Sequence, residues 1–287
     1  MISVPIAVPA GRRPRARPTL FRGGLGPGLR IAGATIIFAC LPALSGADNL
    51  AENQARFGRI SGDVGLLSQG ADQWIEAQEG LPIEPGDHIR TGDDGAAEIV
   101  LSQNVLWLME PQTDLETEHM ESNEGRFNLS DGDLLGQVDS AHAQAPQDWE
   151  FNTLTALCAI RGTEFVLHAS AKDGTRLGVL EGEVDMSPPE GIRGLETPVR
   201  IAAGHEGASE RDRPPKVFDR FSPAVRALSA RMADLRARLA RVQNTWSPFT
   251  PEVRQDLRRR FVPPPSKRPR RVVVPRRRRP APSGGQP

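Results

Sequence analysis

Cysteine is scarce: the 287 residues contain only Cys40 and Cys158. If Cys40 leaves with a leader, no disulfide can form within the chain. Cys158 lies in the apolar run Leu157-Cys158-Ala159-Ile160, where a small buried hydrophobe is expected. Catalytic signatures are missing too. The histidines, His88, His119, His142, His168 and His205, share no metal-ligand spacing such as H-x-x-x-H. There is no G-x-S-x-G, Walker loop or Rossmann glycine fingerprint. No converging nucleophile, base and oxyanion donor can be assembled. The expectation is therefore no enzyme, no cofactor and no metal site. Asp93-Asp94 and Asp131-Gly132-Asp133 read as solvated turn acids, with calcium as the alternative.

The leading apolar run is too short for an ordinary span. Ile31 to Leu44 covers 14 residues, against about 20 for a transmembrane helix. An acid-free, arginine-bearing segment precedes it, and the small residues Ser45-Gly46-Ala47 follow. This order is the secretory leader pattern, so residues 1–47 are expected to be a signal peptide cleaved after Ala47. Two alternatives stay open. Ile37-Phe38-Ala39-Cys40 resembles a lipobox, which would place lipid on Cys40, and an uncleaved leader would act as a short anchor. The basic flank satisfies the positive-inside rule in each case.

Charge is abundant but segregated. The formal net charge of zero is the total of +6 over residues 1–47, −21 over 48–215 and +15 over 216–287. An acidic core with basic ends bears on partners and solubility rather than on fold.

From 57 to 208 the pattern is short strands set between Gly, Asp, Pro and Asn. Several alternate apolar and polar, the mark of half-buried strands in a sandwich, barrel or roll. One turn recurs: Pro85-Gly86-Asp87, Asp131-Gly132-Asp133, Glu181-Gly182-Glu183 and Ala203-Gly204-His205. Glycine accepts a positive φ there and the acid bonds local amides. Trp107 reads as core. Trp74 and Trp149, flanked by polar residues, are candidate platforms for a partner or a glycan.

Four stretches in order, "LPIEPGDHIRTG", "CAIRGTEFVL", "LGVLEGEVDM" and "VRIAAGHEG", resemble the elements of FecR-type domains. The matching positions include Gly86, Asp87, Thr91 and Gly92, then Arg161, Gly162, Thr163 and Phe165, then Glu181 and Gly182, with Gly204 in the closing element. The resemblance implies an all-β, roll- or solenoid-like module on the outer side of the cytoplasmic membrane. Some members relay a signal to a sigma factor through a cytoplasmic N-terminal segment, which the Pro- and Arg-rich first 30 residues do not resemble. Where the family often has an Asp-Gly-Ser-type turn, this chain has Ser102-Gln103-Asn104, and Asn104 is a candidate for the left-handed conformation. Arg161 is expected to bond carbonyls or pair with a carboxylate such as Glu181, with anion binding as the alternative.

An α-helical segment follows. Ser222-Pro223 is a helix start, and Val225, Leu228, Met232, Leu235, Leu239 and Val242 form a seam over residues 222–243. The seam either packs on the β-domain or self-associates as a coiled coil. A shorter helix is expected over 250–261. Residues 262–287, with Arg276, Arg277, Arg278 and Arg279, have the composition of a disordered basic tail. Export sets nucleic acid aside. The expected partner is then a protein or a cell-envelope polymer, with an anionic membrane surface open to the tail. The function expected is that of a non-enzymatic envelope module for interaction or regulation. A membrane-anchored regulator of a sigma factor and a wall- or glycan-binding module are the alternatives.

Overall fold

The computed structural model describes residues 53–189 and 197–263. The expected leader, with Cys40 and Ala47, and Arg276–Arg279 of the expected tail lie outside the described residues.

The first half of the chain contributes β1 (Arg56–Ser61), β2 (Val64–Leu67), β3 (Ile75–Glu76), β4 (His88–Thr91), β5 (Ala96–Ser102), β6 (Val105–Met109), β7 (Asp114–Met120) and β8 (Glu124–Val138). Then come β9 (Asp148–Asn152), β10 (Leu157–Ile160), β11 (Glu164–Ser170), β12 (Gly174–Glu181), β13 (Glu183–Ser187), β14 (Val199–Ala202), β15 (Glu206–Ser209) and β16 (Lys216–Phe218). The β structure thus runs past the expected boundary at 208.

The strands make two sheets joined through β8. The front sheet runs β1-β5-β6-β8-β11-β12-β15-β16, and the back sheet runs β3-β2-β4-β7-β8-β9-β10-β13-β14. Pairing is antiparallel except between β8 and β9. From β9 onward the chain places two strands in the back sheet, two in the front, and repeats, which is the path of a roll. β8 serves both sheets. Its first half pairs with β7 and β9, its second half with β6 and β11. The bend falls at Gly132, whose φ of 105° excludes other residues. A Cβ there would lie 2.5 Å from Thr113 Cα.

The two sheets have different sequence textures for a physical reason. Back-sheet strands such as Asp148-Trp149-Glu150-Phe151-Asn152 alternate, because one face meets the core and the other meets water. Front-sheet strands such as Glu164–Ser170 are buried almost throughout, because both faces are covered. Between the sheets Trp107 contacts Trp149, Phe151 and Phe165 edge-on, with ring centroids 6.0, 5.5 and 5.5 Å away.

Three helices follow: α1 (Pro223–Ser229), α2 (Met232–Thr245) and α3 (Pro251–Phe261). Ser222 and Thr250 cap α1 and α3, each followed by proline at the first turn. The sequence pattern predicts one helix across 222–243, and the structure has two. The Ser229 hydroxyl donates to Arg226 O at 2.9 Å, competing for the helical ladder. Arg231 N then bonds Leu228 O and Asp234 N bonds Arg231 O, a tightened i→i+3 kink. The seam survives it. Val225, Met232, Leu235, Leu239 and Val242 pack on Val100, Leu106, Leu135 and Val166 of the front sheet.

Candidate functional site

The motif residues occupy corners and core. Gly86, Gly162, Gly182 and Gly204 have φ of 83°, 64°, 83° and 82°. Phe165 is wholly buried, and Thr163 nearly so. The Thr91 hydroxyl donates to Glu110 O at 2.6 Å and accepts from Thr113 N at 2.8 Å. The amide of Gly92 donates to Asp63 O at 2.8 Å. The Gly162 and Gly182 corners stack, since a Cβ on Gly182 would lie 2.7 Å from Gly162 O. Each corner carries the chain from one sheet to the other. Asn104 is not in the left-handed region; among the described non-glycine residues only Gln112 and Asp212 have positive φ. Asn104 is instead buried, its amide donating to His142 O at 3.1 Å.

Arg161 does not pair with Glu181. It reaches Asp148 on β9 at 3.2 and 3.4 Å, and both side chains are exposed. The register explains this: Ile160 lies opposite Trp149, so the residue after β10 meets the residue before Trp149. Glu181 ends β12 as an exposed residue beside the Gly182 turn.

A second set of residues, of which the sequence expectations name only Asp87, forms buried ion pairs. The buried carboxylates among the described residues are Asp87, Glu98, Glu110, Glu164 and Glu206. The segment 222–258 donates to every one of them. Ser222 N, at the cap of α1, donates to Glu206, which also accepts from Arg176 at 2.9 Å. Arg231 bonds Glu110. Arg236 Nε bonds both oxygens of Glu164, at 2.7 and 2.9 Å. Arg238 Nε reaches Glu98 at 2.8 Å, opposite Arg59 at 2.9 Å. Arg258 of α3 takes both oxygens of Asp87. The three helices act as one basic strap over the front sheet and the end of the roll. The available signal was a glutamate within otherwise apolar runs, as in Ala96-Ala97-Glu98-Ile99-Val100-Leu101.

The environments differ in sign. Burial pushes the Glu98 carboxyl up, but hydrogen bonds from Arg59 and Arg238 outweigh it and hold its pKa below the ordinary value. Burial wins at Glu110: with Asp133 nearby, its pKa is raised despite Arg231.

The outer face of the back sheet is polar and laced with cross-strand pairs. Arg126 bonds Glu150 at 2.8 Å, Arg200 bonds Asp185 at 3.0 Å, and Asn128 bonds Glu118 at 2.7 Å. At one edge Trp74 is 39% exposed, with the Arg90 guanidinium 4.2 Å above its ring. Trp149 is not on this surface. It is wholly buried, because its polar neighbours Asp148 and Glu150 occupy the outward half of the alternation. Of the two expected platform residues, Trp149 is thus core and Trp74 alone lies at the surface.

Other reactive groups have partners or no access. The Cys158 thiol is buried and its pKa is pushed up to about 12 by desolvation. His168 Nδ1 lies 2.7 Å from Asp133, whose hydrogen bond raises the imidazole pKa. His119, Glu121 and Glu124 gather their ligand atoms within 4.8 Å of one another, all three exposed around the β7–β8 turn. His119 lies 3.6 and 3.5 Å from the two glutamates on an exposed surface.

Comparison with known proteins adds a domain. A family model described as FecR protein matches residues 87–185. The chain carries a FecR domain. The matched residues run from Asp87 to Asp185, so the FecR domain spans the middle of the roll, and the strap lies beyond it. No curated protein matches the chain. Two crystal structures of a candidate anti-sigma factor from Parabacteroides distasonis ATCC 8503 are similar to it at TM-scores of 0.40 and 0.39, with 13% and 12% identity. Each likeness covers 50% of this chain, and 64% and 63% of the respective crystal chain.

Proposed function

We propose that this FecR-domain chain is an exported, non-enzymatic regulatory module of the cell envelope that binds a protein partner through the outer face of its back sheet. The observation that carries this reading is the FecR match over residues 87–185, whose motif residues serve as corners and core rather than as a reactive constellation. The buried thiol and the histidines set beside carboxylates support a role without covalent or acid–base chemistry. The leader pattern of residues 1–47 supports export with cleavage after Ala47. No described helix is long and apolar enough to cross a membrane. The polar back face supports a contact of charged complementarity, which gives specificity and association rate more than raw affinity. The basic residues of 264–287 add an anionic envelope surface as a second contact.

The test is site-specific photo-crosslinking in cells that express the whole chain. A probe at Glu118, on the back face, is expected to give one discrete adduct in the envelope fraction. A probe at Lys172, exposed in the turn between β11 and β12, is expected to give none. Equal adducts from both positions, or none from either, would contradict the reading. A sigma factor in the adduct would place the chain with the anti-sigma regulators instead.

A further inference from the structure

The strap is built like a ligand. Its residues 222–263 carry nine arginines against three carboxylates, whereas residues 48–215 carry a net charge of −21. Its seam is apolar, and its flanking arginines fall on buried glutamates. The exposure is one-sided: Arg231 and Arg236 are about half exposed at 48% and 51%, while Glu110 and Glu164 are at 7% each. The carboxylates are thus buried by the strap, and would meet water again if it left. The helices are also short, 7 and 14 residues for α1 and α2. Helices under about 12–15 residues are marginal alone, so these owe their form to the sheet beneath. The FecR match ends at residue 185, before the strap begins.

We propose that the outer face of the front sheet is a docking groove for a basic amphipathic helix. The strap is its resident occupant, and a partner protein's helix of the same chemistry displaces it. The groove selects an apolar seam of Val, Met and Leu, set between arginines that reach Glu110, Glu164 and Glu98. The inference rests on reading the chain as an interaction module, but it concerns the opposite face from the one assigned above.

Two measurements on the full chain test it. The first is native-state hydrogen exchange of the unaltered protein. Amides of α2 are expected to exchange at least tenfold faster than those of β6 and β11, through an opening that leaves the roll intact. Equal protection of helix and strands would overturn the proposal. The second is fluorescence anisotropy with a labelled peptide of residues 222–245. It is expected to bind the Arg236→Glu/Arg238→Glu full chain at least tenfold more tightly than the unaltered chain, and to lose that affinity when Glu164→Lys is added. Equal binding to the unaltered and the strap-altered chain would overturn the proposal, as would no binding by an altered chain that still unfolds cooperatively in urea. If the altered chain does not fold, the exchange measurement decides alone. Failure of crosslinking at Glu118 bears on the back face and leaves these results untouched.

Discussion

Arg258 forks onto Asp87, with Nη1 2.7 Å from Oδ2 and Nη2 2.9 Å from Oδ1, across 171 residues of chain. Asp87 is fully buried and also accepts from Glu84 N at 2.8 Å. The acid of the Pro85-Gly86-Asp87 turn therefore does more than bond its local amides. It fixes the third helix of the strap to the end of the roll.

Removing the arginine strands that charge. Arg258→Met is expected to cost about 3–5 kcal/mol, the range for breaking a buried ion pair from one side. Adding Asp87→Asn should recover part of the loss, because the uncompensated charge goes with it. Urea unfolding of the four members of the cycle measures both effects.

Glu98 and Glu110 are expected to respond to pH with opposite signs. Glu98 has a folded pKa below the ordinary 4.5, so its contribution is present above that value and is lost as pH falls through the folded pKa. Glu110 has a folded pKa above it, so its ionisation opposes folding as pH rises towards neutrality. Glu98→Gln should destabilise at pH 7 and be near neutral in acid. Glu110→Gln should be near neutral in acid and stabilising at pH 7. Denaturation curves at several pH values check the pair.

Gly136 marks a close approach beneath the aromatic core. A Cβ there would lie 2.2 Å from two ring carbons of Phe165 and 2.7 Å from Trp107. Gly136→Ala is expected to cost about 3 kcal/mol, the upper range for overpacking. A thermal melt compared with an exposed control, Glu118→Ala, measures it.

The Cys158 thiol should be silent to a thiol reagent in the folded protein at pH 8 and reactive once unfolded, since its pKa stands at about 12. An unfolded-state titre of two thiols per chain would report an unmodified, retained Cys40, whereas a titre of one fits either its loss or its lipid modification.

The parts legible in sequence are those set by local chemistry. The Gly-acid turns are readable because a positive φ leaves few alternatives to glycine. The seam from Val225 to Val242 is readable because helical spacing repeats, and it does pack on the roll. The break at Ser229 escaped the pattern because a single hydroxyl bond interrupts it without disturbing the apolar period. Trp149 misleads for a similar reason: polar neighbours mark exposure in a loop, but in an alternating strand they mark the other face. The buried glutamates and their arginines were not legible. Glu98 and Arg238 are 140 residues apart, Glu164 and Arg236 are 72 apart, and nothing local to either partner names the other.

Export of the module is tested most directly by the intact mass of the mature protein, made in a bacterial host with its own leader. The mass of a chain beginning at Asp48 is the expected result. A full-length mass from Met1 would contradict it and place the acidic roll behind an uncleaved anchor, and a lipid-modified Cys40 would contradict release by tying the chain to a membrane.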